Sequence, residues 1–326
     1  MGSPAVGGES PPNTSFEQED NLDGTPGGIG VKAVLDGARR SHADFRNQRE
    51  GCDMLQHHKV IGGGGVELHA VETGNPKGRP IVFLHGVSQC GMTWSRQLNS
   101  DLADTFRLVA MDLRGHGLSG KPPGIYGDSR MWADDVRAVI RALDLDHPVL
   151  SGWSYGPLVI LDYIRHYGED DIRGANFIGG VTKLGTDEAA SVLTPGFLSL
   201  IPGFFSADVR ESVDALTSLL RMCFACDLSD EEFYLMLGYN VSVPPHVRQG
   251  MFSRSFDNDD LLPKICKPVL IMYGSADAVV SLAAIDKQMN RIPTAQTQVM
   301  PNAGHACFWD EPAEFNQRLR KFVEAA

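Results

Sequence analysis

The chain has 326 residues, of which 42% are hydrophobic and 21% charged, and its formal net charge is −12. These proportions are typical of globular proteins and exclude a chain that is disordered throughout. The negative charge, without any run of Lys or Arg longer than two, disfavours binding to nucleic acid or to anionic membrane surfaces. No signal peptide is evident, and no apolar stretch approaches the ~18 residues of a membrane span. We therefore expect a reduced, cytoplasmic protein with a small-molecule substrate.

The N-terminal part of the chain differs in composition from the rest. Its first 30 residues are rich in Gly and Pro and lack a periodic apolar pattern. Such a segment cannot bury enough apolar surface to offset the entropy lost on ordering. Residues 1–57 are therefore predicted to be a flexible extension, within which residues 31–50 could form a short amphipathic helix.

From residue 58 onward, apolar strands alternate with amphipathic helices. The segments RPIVFLHG and FRLVAMDL are continuous apolar runs, which is typical of strands buried on both faces of a sheet. The alternation predicts an α/β fold with a doubly wound, mostly parallel sheet, formed by residues 58–182 and 259–326. The intervening residues 183–258 are rich in Phe and Leu and contain no strand pattern. They are predicted to form an inserted helical lid.

Candidate catalytic residues follow the predicted strands, where ligands bind in open parallel sheets. Ser154 lies in GWSYG between a strand and a helix, which is the context of an activated serine. A serine hydroxyl needs a neighbouring base, which a carboxylate must orient. His305 follows the last predicted strand and Asp277 the strand before it, so these two are the expected base and acid. Asp187 remains an alternative acid, because it follows the strand after the serine.

The motifs LHG at 84–86, DLRGHGLSG at 112–120, GWSYG at 152–156, GSAD at 274–277 and NAGH at 302–305 resemble those of the α/β-hydrolase fold superfamily. The resemblance is to its small lidded serine esterases, perhydrolase-like enzymes and C–C hydrolases, and it spans about residues 60–326. It implies that the backbone N–H groups of Val87 and Tyr155 form an oxyanion hole. Members that cleave carbon–halogen bonds or open epoxides have an aspartate at the nucleophile position, so Ser154 argues against both activities.

These observations imply a serine hydrolase that cleaves a small to medium, fairly apolar carboxylic ester through an acyl-enzyme, with water as the second substrate. Perhydrolysis or C–C bond cleavage by the same triad is the first alternative. A non-catalytic receptor or scaffold of the same fold is the second. Neither a cofactor nor a metal is expected, because the His and Cys spacings match no ligand pattern. The side chains expected to line the substrate pocket are Met92, Trp94, Trp153, Phe197 and Phe204.

Deletion of residues 1–50 is expected to leave the fold and most of the activity intact, because this segment carries no candidate catalytic group. Soluble yield, thermal unfolding and ester hydrolysis of the truncated and full-length proteins would be compared. Loss of soluble expression would show that the segment is needed to stabilise the core.

Overall fold

The computed structural model describes Gly2 and residues 55–326, so the helix predicted over 31–50 lies outside the described residues. Its strands are β1 (Gln56–Ile61), β2 (Glu67–Gly74), β3 (Pro80–Leu84), β4 (Arg107–Met111), β5 (Val149–Trp153), β6 (Gly174–Ile178), β7 (Val269–Gly274) and β8 (Ala295–Met300). They form one sheet in the order β1-β2-β4-β3-β5-β6-β7-β8. The pairs β1–β2 and β2–β4 are antiparallel and all other pairs are parallel. The predicted mostly parallel α/β sheet is confirmed.

Helices of the core pack on both faces of this sheet. They are α1 (Ser95–Leu98), α2 (Leu102–Thr105), α3 (Ser129–Ala142), α4 (Gly156–Tyr167), α10 (Ala283–Lys287), α11 (Cys307–Asp310) and α12 (Pro312–Ala325). Helix α3 is amphipathic. Its residues Trp132, Val136 and Val139 lie at helical spacing and are fully buried, and charged residues lie between them in the sequence. The central strands β3, β5 and β6 are buried at every position, which explains their continuous apolar sequences.

A helical insertion, defined here as residues 183–258, separates β6 from β7. It contains α5 (Asp187–Val192), α6 (Pro195–Phe205), α7 (Val209–Cys223), α8 (Asp230–Val241) and α9 (Pro245–Phe252). The first four helices begin after residues whose side chains accept hydrogen bonds from the first turn: Thr186, Thr194, Asp208 and Ser229. Each such cap satisfies a backbone N–H that has no partner within the helix. The two ends of the insertion are joined by reciprocal backbone hydrogen bonds of 3.0 Å between Leu184 and Phe256.

Within the insertion, a buried arginine links the helices. The guanidinium of Arg248 donates to the carbonyl of Phe204 at 2.7 Å, to Ser212 Oγ at 3.0 Å and to the carbonyl of Val243. Burial lowers the pKa of Arg248 to about 10. Because these acceptors belong to three different parts of the insertion, Arg248 fixes α6, α7 and α9 relative to one another.

A second buried arginine anchors the turn between β1 and β2. Arg114 donates to both carboxylate oxygens of Asp135 at 2.7 Å and to the carbonyls of Gly63 and Met131. The same carboxylate accepts the backbone N–H of Gly63 at 2.9 Å. Both side chains are buried, so removing either would leave a charge without its partner in a poorly solvated interior.

Asp135→Ala is therefore expected to lower the free energy of unfolding by about 3–5 kcal/mol. The control is Asp171→Ala, which removes the partner of Arg141 from an exposed ion pair and should cost less than about 1 kcal/mol. Chemical denaturation of both variants measures the difference. Equal losses would contradict the importance assigned to the buried pair.

Candidate active site

Ser154 lies in the sharp turn between β5 and α4. Its backbone is in the left-handed region with φ of +60°, which is unfavourable for a residue with a side chain. The turn closes because the neighbouring positions are glycines: a Cβ at Gly152 would lie 2.6 Å from the carbonyl carbon of Gly156, and a Cβ at Gly156 would lie 2.6 Å from the carbonyl oxygen of Leu84. The turn therefore presents Ser154 Oγ beside the carboxyl ends of the strands.

The predicted oxyanion donors are Val87, in the loop after β3, and Tyr155, the residue after this serine. A Cβ at Gly86 would approach Ser154 Cβ to 2.9 Å, which shows how closely the loop after β3 approaches the serine. Neither Val87 nor Tyr155 donates a backbone hydrogen bond to any described residue. Tyr155 is also the N-cap of α4, where the helix dipole favours negative charge. Both N–H groups are thus available to a ligand anion.

Buried histidines hold the loop that carries Val87. His85 Nε2 accepts the backbone N–H of Leu113 at 3.0 Å, and His116 Nε2 accepts the backbone N–H of Ser88 at 3.2 Å. Burial lowers the pKa of His85 to about 4 and that of His116 to about 3, so both are neutral acceptors at neutral pH. These contacts give His85 and His116 a structural role, since each joins this loop to the segment after β4 through a backbone N–H.

Asp112 holds the same loop from its other end. Its carboxylate accepts the backbone N–H groups of Gly91 at 2.6 Å and Leu118 at 2.8 Å, and it contacts His69 Nδ1 at 2.8 Å. Burial acts to raise the pKa of Asp112, but these hydrogen bonds outweigh it and the pKa is lowered. Asp112 is therefore ionised at neutral pH and acts as a backbone acceptor.

His305 follows β8 and is paired with Asp277. The distance from His305 Nδ1 to Asp277 Oδ2 is 2.8 Å, and both side chains are buried. Asp277 Oδ1 accepts the backbone N–H groups of Val279 and Val280 at 2.8 and 2.9 Å, which fixes the carboxylate. The indole of Trp153 donates to the carbonyl of His305 at 2.9 Å. The carboxylate of Asp277 and the backbone of His305 are thus each held by a further hydrogen-bond partner.

In the predicted triad, the atom of the imidazole that would accept the proton is Nε2. This atom of His305 is buried and has no hydrogen-bond partner among the described residues. A hydrogen bond from Ser154 Oγ to this atom is not formed in the described structure. Catalytic hydrogen bonds are often long in ligand-free enzymes and shorten when substrate binds. The alternative acid Asp187 is exposed and lies at the start of α5 without contacting His305.

Asp310 is a residue of the site that sequence reasoning missed. Its carboxylate accepts the backbone N–H of Gly304 at 2.7 Å and those of Ala225 and Cys226 at 3.1 Å. It therefore ties the loop that carries His305 to the helical insertion. An aspartate five residues after a histidine matches no motif, so nothing in the sequence singled it out.

The predicted pocket residues are distributed differently from what the sequence suggested. Trp94 and Phe204 have 0% exposed surface, so the prediction that they line a pocket is wrong for this structure. Trp94 packs in the core against Phe308, and Phe204 packs against Phe197 within the insertion. Trp153 is also buried, and its ring packs beside that of His305 with 5.5 Å between the ring centres. Of the five, only Met92 is largely exposed, at 55%.

Residues 55–326 contain no group of three or more His, Cys, Asp or Glu side chains that could hold a metal ion. The helices of this part of the chain are too short or too polar to cross a membrane.

The model of the alpha/beta hydrolase family matches residues 81–318. The chain belongs to that family. An esterase from Rhodococcus sp. ECU1013 is 34% identical and superimposes with a TM-score of 0.77, covering 82% of this chain and 98% of the other. A non-heme haloperoxidase from Rhodococcus erythropolis is 28% identical over 285 residues, or 82% of this chain and 99% of the relative. The AB hydrolase superfamily protein YisY from Bacillus subtilis is 28% identical over 256 residues, or 75% of this chain and 91% of the relative.

Family membership confirms the resemblance inferred from the motifs, and with it the expectation that this protein is an enzyme of the α/β-hydrolase fold. Because the family model begins in β3 and ends in α12, the membership covers every element that carries a candidate catalytic residue. The roles of the individual residues remain predictions.

Asp277→Asn should lower turnover by about a hundredfold or more, because an imidazole without its carboxylate can adopt the wrong tautomer. Asp187→Asn, the matched control at the other candidate acid, should change turnover by less than about tenfold. Both variants would be assayed on one ester at one pH, with thermal unfolding checked. If Asp187→Asn proves the impaired enzyme, the assignment of the acid is wrong.

Proposed function

We propose that the protein is a serine hydrolase that cleaves small to medium, fairly apolar carboxylic esters. The observation that carries the proposal is the hydrogen bond between Asp277 and Nδ1 of His305. The other ring nitrogen, Nε2, has no partner among the described residues. The same site contains Ser154 in its strained backbone conformation. The similarity to a Rhodococcus esterase over nearly that enzyme's whole length supports the same reaction class.

In the proposed reaction, Ser154 Oγ attacks the ester carbonyl carbon while its proton moves to His305 Nε2. The carbonyl oxygen becomes an oxyanion, which the N–H groups of Val87 and Tyr155 stabilise. Removing one such donor typically costs about 3 kcal/mol in the barrier. His305 then protonates the departing alcohol, and the C–O bond breaks to leave an acyl group on Ser154.

The acyl-enzyme is hydrolysed by the reverse sequence of proton transfers. Water replaces the alcohol, His305 removes its proton, and the acid product leaves as Ser154 recovers its hydrogen. Asp277 stabilises the imidazolium that forms in both halves of the reaction.

The helical insertion is proposed to act as the lid of this site. It contacts each of the three loops that carry candidate catalytic groups. Tyr239 Oη lies 3.2 Å from Thr93 Oγ1 beside the oxyanion loop, and Thr194 Oγ1 donates to the carbonyl of Ala278 at 2.6 Å beside Asp277. The third contact joins the backbone of Ala225 to Asp310 beside His305.

Perhydrolysis is a second candidate activity, favoured by the similarity to a non-heme haloperoxidase. In that reaction hydrogen peroxide attacks the acyl-enzyme in place of water, and the product is a peracid. The triad would perform the same proton transfers. Peracid formation from an ester and hydrogen peroxide, compared with hydrolysis by the same preparation, distinguishes the two outcomes.

Ser154→Ala should lower ester hydrolysis by several orders of magnitude without unfolding the protein, because the hydroxyl contributes little to packing. A panel of p-nitrophenyl esters of increasing acyl length would be used, with Ser199→Ala as the control at an exposed serine of the insertion. A fluorophosphonate probe should label Ser154, as identified by mass spectrometry. An unlabelled, inactive wild-type protein would instead indicate a non-catalytic scaffold.

A further inference from the structure

Arg254 extends from the end of the helical insertion into the interior beneath the catalytic turn. The residue is only 4% exposed. Its Nη1 donates to Tyr155 Oη at 2.9 Å, and its Nη2 lies 2.7 Å from each carboxylate oxygen of Asp162. Its guanidinium also lies 4.4 Å from the centre of the Phe256 ring. A buried arginine with a paired carboxylate and a stacked ring has little freedom to move.

Tyr155 is the residue that this arginine holds. The tyrosine ring is buried and packs against Trp132, with 5.6 Å between ring centres. Burial raises the pKa of Tyr155 to about 12, so its hydroxyl is neutral and accepts the hydrogen bond from Arg254. Both ends of the side chain are therefore fixed, the Cα by the start of α4 and the oxygen by Arg254.

The position of the Tyr155 side chain bears directly on the backbone at Ser154. The peptide between these residues carries the N–H proposed for the oxyanion hole, and it follows a residue with φ of +60°. A strained conformation persists only where its surroundings hold it in place. The contact with Arg254 fixes the hydroxyl end of the Tyr155 side chain. This limits changes in the backbone dihedral angles at Tyr155 and so keeps its N–H directed at the site of the oxyanion.

Asp162 lies in α4, about two turns after the N-cap residue Tyr155. Burial raises the pKa of Asp162, whereas its ion pair with Arg254 acts in the opposite direction. Its bidentate contact neutralises the buried guanidinium, which would otherwise carry an uncompensated charge. Through Asp162, helix α4 thus holds the arginine that contacts its own N-cap residue, Tyr155.

We infer that Arg254 is a positioning residue for the oxyanion-hole N–H of Tyr155, and that Asp162 fixes Arg254 for this purpose. The inference rests on the proposed serine hydrolase function. It makes the last segment of the helical insertion a part of the catalytic machinery, although Arg254 does not touch substrate.

The test is Tyr155→Phe, which removes only the oxygen that Arg254 contacts. The matched control is Tyr167→Phe on the same helix, which removes a hydroxyl that donates to Asp134 far from the serine. Turnover and KM would be measured with a p-nitrophenyl ester. Inhibition would be measured with an alkyl trifluoromethyl ketone, whose adduct with Ser154 places an oxyanion in the hole.

For Tyr155→Phe we expect kcat to fall about tenfold, part of the 10²–10³-fold loss caused by complete removal of an oxyanion donor. The inhibition constant of the ketone should rise by a similar factor, while KM changes less than about twofold. Tyr167→Phe should leave all three unchanged. Arg254→Lys should resemble Tyr155→Phe, and the double variant should lose no more than Arg254→Lys alone, because both act through one contact.

A Tyr155→Phe enzyme whose kcat and ketone inhibition constant stay within twofold of wild type would overturn the inference. So would a fall in kcat with unchanged ketone inhibition, since that pattern indicates a purely structural role. These outcomes are distinct from failure of the proposed function. That failure would appear as a wild-type protein without Ser154-dependent hydrolysis and would overturn both.

Discussion

The geometry of the whole site depends on the left-handed backbone conformation of Ser154. Adopting it costs on the order of 1–3 kcal/mol, which the surrounding structure must offset. The offset comes from close approach: glycines at 152 and 156 allow strand, turn and helix to meet without a Cβ between them. The same approach brings the loop after β3 against the serine. A side chain at either glycine would separate these elements, so the turn and the oxyanion loop depend on one constraint.

The loops around the serine are held mainly by acceptors for backbone N–H groups. Neutral His85 and His116, together with the carboxylates of Asp112, Asp277 and Asp310, all serve in this way. A carboxylate that accepts two or three backbone N–H groups fixes a loop through these hydrogen bonds alone, without a positively charged partner. In the proposed reaction, the oxyanion and the imidazolium would form in a site whose polar groups are already oriented, which is the condition for electrostatic catalysis.

The helical insertion is attached to the core near the candidate catalytic loops and also near the residues where the insertion begins and ends. Arg254 reaches from the insertion to Tyr155, and Asp310 reaches from α11 to the backbone of Ala225 and Cys226. Where the insertion begins and ends, Lys183 forms ion pairs with Glu188 and Asp259, and both carboxylates also pair with Arg291. An insertion with these attachments is positioned by the core.

The sequence by itself determined the fold class and the candidates Ser154, Asp277 and His305. It could do so because strand burial, glycine turns and the order of residues after strands are local properties. It did not predict strand β1, whose first two residues lie within the predicted extension 1–57. Only the tertiary structure decided which acid faces His305, that Trp94 and Phe204 are core residues, and that Asp310 and Arg254 contact the loops that carry candidate catalytic groups. Trp94 lies two residues after the exposed Met92, yet its own ring is buried in the core. Arg254 is 99 residues from the tyrosine it contacts. Contacts of that separation depend on how the insertion packs, and apolar composition alone does not say whether a ring lies in a pocket or in the core.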